Sequence, residues 1–222
     1  MKKVIRSFVV LAVASLLAPQ PTQGQGTGFY FRGDIGPAFT ENMHVTEFFG
    51  PVSGATIKLD PGVRFGAAGG YSITDWFAAE VETGVSYNYF RSVNGFVADN
   101  TSLANVPFLG NLVLQCPTKL GIVPYVGGGL GVVFSTFDTD NFADNSNSVS
   151  GNDTDAVFAY QAFAGLRYKI NERMFVDLGY KYLRAEAPRY HVEPLFFGDP
   201  SGDLRLSAIH THSVAFSFTM KF

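Results

Sequence analysis

Phe77-Ala-Ala-Glu-Val-Glu-Thr-Gly-Val-Ser-Tyr-Asn-Tyr89 is the most regular stretch of the chain. Phe77, Ala79, Val81, Val85, Tyr87 and Tyr89 fall on one parity; Glu80, Glu82, Gly84, Ser86 and Asn88 fall on the other. A period of two marks a strand whose two faces meet different surroundings. Upstream, Phe29, Phe31 and Ile35 alternate with Tyr30, Arg32 and Asp34, and Val63, Phe65 and Tyr71 with Arg64, Gly66 and Gly70. Downstream, Val106, Phe108, Leu112 and Leu114 oppose Asn105, Asn111 and Gln115. Residues 123–134 are strand-like, but so rich in glycine that their facing stays undetermined. Phe158, Tyr160, Leu166 and Tyr168 then oppose Gln161, Arg167 and Lys169, and Val176, Leu178, Tyr180 and Tyr182 oppose Asp177 and Lys181. Val214, Phe216, Phe218, Met220 and Phe222 oppose Ser213, Ser217, Thr219 and Lys221, which brings the total to eight strands.

The connections alternate in length. Residues 72–75, 117–122 and 171–173 read as tight turns, and between them lie four long connections, 40–60, 91–104, 137–155 and 187–206. Short turns on one side and long loops on the other, joining an even number of antiparallel strands, are the organisation of a transmembrane β-barrel. In lipid every backbone polar group must be satisfied internally, so strands cross only as a closed barrel. The expectation is all-β: an eight-stranded antiparallel up-and-down transmembrane β-barrel over residues 25–222. Residues 1–24 read as a secretory signal peptide, with Lys2, Lys3 and Arg6 before a short apolar run and small residues up to Gly24.

Composition narrows the function classes. The 222 residues are 46% hydrophobic and only 16% charged, with a net charge of −3, so no basic excess exists to hold nucleic acid. A single cysteine, Cys116, excludes an internal disulfide framework and a multi-cysteine zinc site. With the apolar parity against lipid, the other parity points inward. It carries Arg32, Asp34, Arg64, Glu80, Glu82, Arg167, Lys169, Asp177 and Lys181. Eight strands leave a lumen that side chains can fill. These near-balanced charges are therefore expected to pair into a polar plug, spread over several strands without clustering in one layer. Tyr71, Trp76, Tyr87, Tyr89, Tyr125, Tyr168 and Tyr182, near strand ends, read as interfacial anchors.

Four stretches carry a resemblance: Tyr30-Phe-Arg-Gly-Asp-Ile-Gly36, Gly69-Gly-Tyr-Ser-Ile-Thr-Asp-Trp76, Pro124-Tyr-Val-Gly-Gly-Gly-Leu-Gly131 and Val214-Ala-Phe-Ser-Phe-Thr-Met-Lys-Phe222. The chain resembles the small outer-membrane β-barrel porin family, the opacity-protein and outer-membrane protein A-like barrels. The resemblance implies residence in a bacterial outer membrane among its lipids. It also implies an assembly signal in Phe216, Phe218, Met220 and Phe222, read by the barrel-assembly machinery. The chain stops at Phe222, where the protein A type continues into a peptidoglycan-binding domain, so wall anchoring is not expected.

No motif points to catalysis, and neither a cofactor nor a metal is expected. His210 and His212 share one face of the last strand, but no third ligand is evident nearby, and the His-x-Ser spacing of outer-membrane lipid A deacylases is absent. The acidic stretch 137–155 fails the EF-hand spacing, and Gly127 to Gly131 lies in a strand with no helix after it. Two apolar pairs stand out in the long connections, Phe48-Phe49 and Phe196-Phe197. They read either as part of a surface for an extracellular ligand or as rings that pack together or dip into the outer leaflet. The resulting expectation is a non-enzymatic scaffold presenting four loops, with adhesion as its sharper form. The alternatives are a narrow porin and, further off, a lipid-modifying enzyme using His210 or His212.

Overall fold

The computed structural model describes residues 27–48, 51–93, 96–97, 101–118, 121–144, 147–194 and 202–222. The strands, in chain order, are β1 (Gly28–Thr40), β2 (Met43–Phe48), β3 (Pro51–Leu59), β4 (Gly62–Ser72), β5 (Phe77–Val93), β6 (Phe96–Val97) and β7 (Thr101–Gln115). They continue with β8 (Ile122–Asp144), β9 (Asn147–Lys169), β10 (Met174–Ala185), β11 (Arg189–Pro194), β12 (Gly202–Leu206) and β13 (Ile209–Lys221). Eight of them, β1, β4, β5, β7, β8, β9, β10 and β13, pair antiparallel in sequence. The ring closes where the first strand meets the last, from Tyr30↔Lys221 to Thr40↔Thr211. The barrel is the one expected from the alternation.

At the end of the short turns, which faces the periplasm in the outer-membrane barrel expected from the sequence, the connections are short for local reasons. Gly121 has a φ of 74°, a left-handed conformation that favours glycine, just before β8. The Asn171 side chain accepts the backbone N–H groups of Arg173 and Met174, both at 2.9 Å, and so closes the β9–β10 turn.

The four long connections differ from the expected loops. β2 and β3 pair antiparallel, β8 and β9 stay paired out to Asp144↔Asn147, and β11 and β12 occupy much of 187–206. These extensions pair side by side in the order β5, β3, β2, β12, β11, β9, so the wall continues beyond the lipid-facing band. Their side chains keep a period of two but reverse its sense. In β2, Met43 and Val45 are buried while His44 and Thr46 are exposed. In β8, Leu130, Val132 and Phe134 face outward, whereas Phe137 is buried and Asp138 exposed. Within the lipid-facing band the wall is apolar outside and polar inside; beyond it the wall is polar outside and apolar inside. The reversal follows from the solvent. Acyl chains select apolar side chains on the outer face, and water returns them to the interior.

The facing read from the alternation holds for every strand assigned. Val81, Leu130, Leu178 and Phe216 stand on the outer face, where acyl chains meet them. Trp76, Tyr89 and Tyr168 are likewise outward. Tyr125 is a correction: it is buried in the lumen rather than placed at the interface. Its ring fits because the opposing positions are glycines. A Cβ on Gly165 or Gly179 would come within 2.5 Å of its hydroxyl.

Candidate functional site

The lumen is filled, and its centre is the carboxylate of Glu82. Oε1 receives Arg64 Nη2 from β4 and Lys181 Nζ from β10, the latter at 2.5 Å. Oε2 accepts the side-chain amides of Asn111, from β7, at 2.9 Å and of Gln161, from β9, at 3.0 Å, with Arg32 Nη2 at 3.3 Å. Glu80, two residues earlier on the same face, accepts Arg32 Nη2 at 2.8 Å, Asn111 Nδ2 at 3.1 Å and the Tyr30 hydroxyl at 2.9 Å. Asp34 accepts Arg64 Nε at 3.1 Å and lies 3.6 Å from Lys181 Nζ. Three cations thus balance three carboxylates, and all six residues are buried.

Burial explains why the set is so densely bonded. An ion taken out of water loses several kcal/mol of solvation, roughly, and recovers it only with close opposite charges and saturated lone pairs. Both Glu82 oxygens meet that demand. Six strands contribute, and β8 makes room instead: a Cβ on Gly129 would strike the Asn111 amide, and one on Gly127 the Phe163 ring. Phe163 in turn lies beneath both Arg32 and Lys181, at 6.0 and 5.7 Å from its centroid.

Two further layers complete the filling. Toward the periplasm, Tyr30, Tyr125 and Phe163 cluster with Ala78 and Val113. Beside them Arg167 donates to Asp177 at 2.5 Å and to Gln115 at 3.0 Å, while Thr219 donates to the other Asp177 oxygen at 2.9 Å. Toward the exterior, Thr40 donates to Asn88 at 3.1 Å and lies 3.0 Å from the Thr211 hydroxyl. Beyond them an apolar core closes the barrel mouth. Met43, Ile57, Phe137, Leu204, Leu206 and Ile209 are among its members, and each is 1% exposed or less. Phe137 stacks on Tyr190 at 5.4 Å, and the Tyr190 hydroxyl lies 2.6 Å from Ser135 Oγ.

Of the nine charges assigned to the lumen, the structure gathers Arg32, Asp34, Arg64, Glu80, Glu82 and Lys181 in one place. Arg167 and Asp177 form a separate buried pair, so the expected absence of a cluster is corrected. Strand stagger brings to one level residues that no spacing in the sequence relates. Lys169 is a second correction: its side chain is 38% exposed and it pairs with Glu172 at 2.7 Å in the turn. Sequence reasoning missed Tyr30, Asn111 and Gln161 as members of the centre, and the apolar mouth altogether. The signal for the amides was their inward parity in line with the carboxylates.

Phe48 ends β2, its backbone opposite Leu204, while Phe49, Phe196 and Phe197 lie outside the described residues. Phe216 stands midway along the closing seam, opposite Ile35, and Phe218, Met220 and Phe222 lead from it to the periplasmic end, where the Phe222 N–H donates to the Phe29 carbonyl at 2.9 Å. His210 and His212 face outward near the extracellular rim. His212 bridges the Tyr180 hydroxyl, at 2.5 Å, and Glu41, at 2.8 Å. Among the described residues no group of three or more His, Cys, Asp or Glu side chains is placed to hold a metal.

An uncharacterized protein of Brucella abortus is 25% identical over 224 residues, covering 81% of this chain and 78% of that one. Among solved structures, the outer membrane protein OprG of Pseudomonas aeruginosa superposes with a TM-score of 0.65 at 18% identity, covering 90% of this chain and 99% of that one. Neisserial surface protein A gives 0.59 at 15% identity, covering 89% and 100%. At such identities these two structures establish the fold alone. The model of the outer membrane protein beta-barrel domain matches residues 8–222. The chain therefore belongs to the outer-membrane β-barrel protein family, and its place is the bacterial outer membrane.

Proposed function

We propose that the protein is a sealed, non-enzymatic scaffold of the outer membrane, which carries a β-structured platform to the cell exterior for contact with an extracellular ligand. The observation that supports this reading is the double filling of the interior, by the Glu82 ion cluster within the membrane and by the apolar core at the mouth. A solute crossing this lumen would have to part buried ion pairs and then an apolar core. Function then moves to the long connections, in which the Phe48-Phe49 and Phe196-Phe197 pairs are the candidates for contact. The residues before the barrel act as its export signal and the last strand as its assembly signal in this reading.

A narrow porin is the second reading. One observation favours it: the ion cluster is built from wall side chains, which can rearrange without moving a backbone segment. Replacing Phe48, Phe49, Phe196 and Phe197 by serine tests the first reading. Binding of protein-displaying cells to host cells or matrix is expected to fall to background while the barrel keeps its heat-modifiable gel migration. Unchanged binding overturns the adhesive form of the proposal.

A further inference from the structure

The outer wall carries a polar cluster at the upper edge of its apolar band on β10 and β13, and the lumen does not use it. Arg184 of β10 stands directly opposite His210 of β13, and both face outward, one rung beyond the pair Tyr182↔His212. Below them the same face is apolar, with Tyr180, Val214 and Phe216 among the exposed side chains. In an outer-membrane barrel the height just above such a band is occupied by lipid headgroups. The chemistry of these residues then says what kind of headgroup fits.

Arg184 is held from the side. Tyr160 of β9 stands directly opposite it, and the Tyr160 ring centroid lies 5.8 Å from the guanidinium carbon. Glu186 is 3.6 Å away, but both side chains are substantially exposed, so that pair is weak and leaves donors open. His210 is oriented as well. Its Nδ1 lies 2.7 Å from the Tyr182 hydroxyl. With the phenol donating there, the imidazole proton sits on Nε2. His212 differs: Tyr180 and Glu41 take both of its nitrogens. The wall thus presents a guanidinium and an imidazole side by side across one strand pair, with Glu41 and Glu186 as flanking carboxylates.

We infer that Arg184 and His210 form a binding site for the phosphate of a lipid headgroup of net negative charge in the outer leaflet. The guanidinium offers the paired N–H donors that suit phosphate oxygens, and the His210 Nε2–H supplies a third. The flanking carboxylates oppose free multivalent anions, whereas a lipid is delivered to this height by its own acyl chains.

The test uses the full chain refolded into phosphatidylcholine vesicles, with trace spin-labelled phosphatidylglycerol or phosphatidylcholine as probes. Electron spin resonance then measures the motionally restricted fraction of each lipid at the barrel wall. Selectivity for phosphatidylglycerol of about fivefold is expected, the ratio set by roughly one well-placed interfacial cation. In the double variant Arg184→Gln/His210→Gln the selectivity should vanish, while in Arg91→Gln, an exposed arginine paired with Asp60, it should persist. Equal restriction of both lipids by the parent protein overturns the inference, as does selectivity that survives in the double variant. A large excess of inorganic phosphate should leave the selectivity intact; displacement would assign the site to free phosphate and overturn the lipid assignment.

Discussion

Glu82 illustrates what a single residue does in this lumen, because three cations and two amides converge on its two oxygens. Glu82→Gln removes the charge and keeps the shape, leaving Arg64 and Lys181 without their shared partner. Stability is expected to fall by about 3–5 kcal/mol, the range for breaking a buried pair from one side. Lys169→Gln, in the exposed turn pair, should cost about 0.5 kcal/mol or less. Urea titrations of the folded barrel in lipid, followed by gel migration, compare the two; equal costs would contradict the placement of either residue. At the rim, the hydrogen bond from His212 holds the Glu41 carboxyl below its ordinary range. A depressed carboxyl stabilises the fold above its unfolded value of about 4.3 and ceases to do so as pH falls through the folded value. The Glu41 titration midpoint, followed by NMR, should therefore rise in His212→Gln; an unmoved midpoint would show that the contact does not form. The sequence made the inward facing of these charges legible through parity alone. Their meeting at Glu82 was not legible, since it depends on the stagger between strands. Tyr125 was missed because its strand is glycine-rich, and those glycines have no side chain to declare a face.

At the scale of elements, the informative feature is the reversal of the pattern along a single strand. In β8, Phe134 is the last large apolar residue on the outer face among the described side chains, and Thr136, on the same face one pleat further, pairs with Thr154 at 2.8 Å. The membrane boundary therefore lies between them. Val81→Arg, well inside the band, is expected to destabilise the lipid-inserted barrel by about 2–4 kcal/mol. Thr136→Arg, above the boundary, should cost about 1 kcal/mol or less. Equilibrium unfolding from vesicles measures both, and a harmless Val81→Arg would mean that the facing is wrong. The same reversal explains why residues 43–59 read as a loop. Met43, Val45 and Ile57 do alternate with His44, Thr46 and Lys58, but polar residues on the outer face do not fit a strand assumed to lie in lipid. An expectation built on one solvent missed strands that had passed into another.

For the whole molecule, the consequence is a barrel closed twice, by charge within the membrane and by apolar packing outside it. The overall architecture was legible because seven alternating segments, one glycine-rich strand, short turns and the terminal Val214-Ala-Phe-Ser-Phe-Thr-Met-Lys-Phe222 all point the same way. The closure was only half legible, because the apolar mouth joins the ends of the long strands to residues of β2, β3, β11 and β12, which lie in stretches that read as loops. Closure is also the property on which the functional reading turns, since a sealed wall leaves only the outer surface to act. The most direct measurement is single-channel recording of the refolded protein in a planar bilayer, once insertion has been established. A silent membrane is the result expected of a lumen filled at both levels. Steady, discrete openings would contradict it and identify the Glu82 cluster as the lining of a pore.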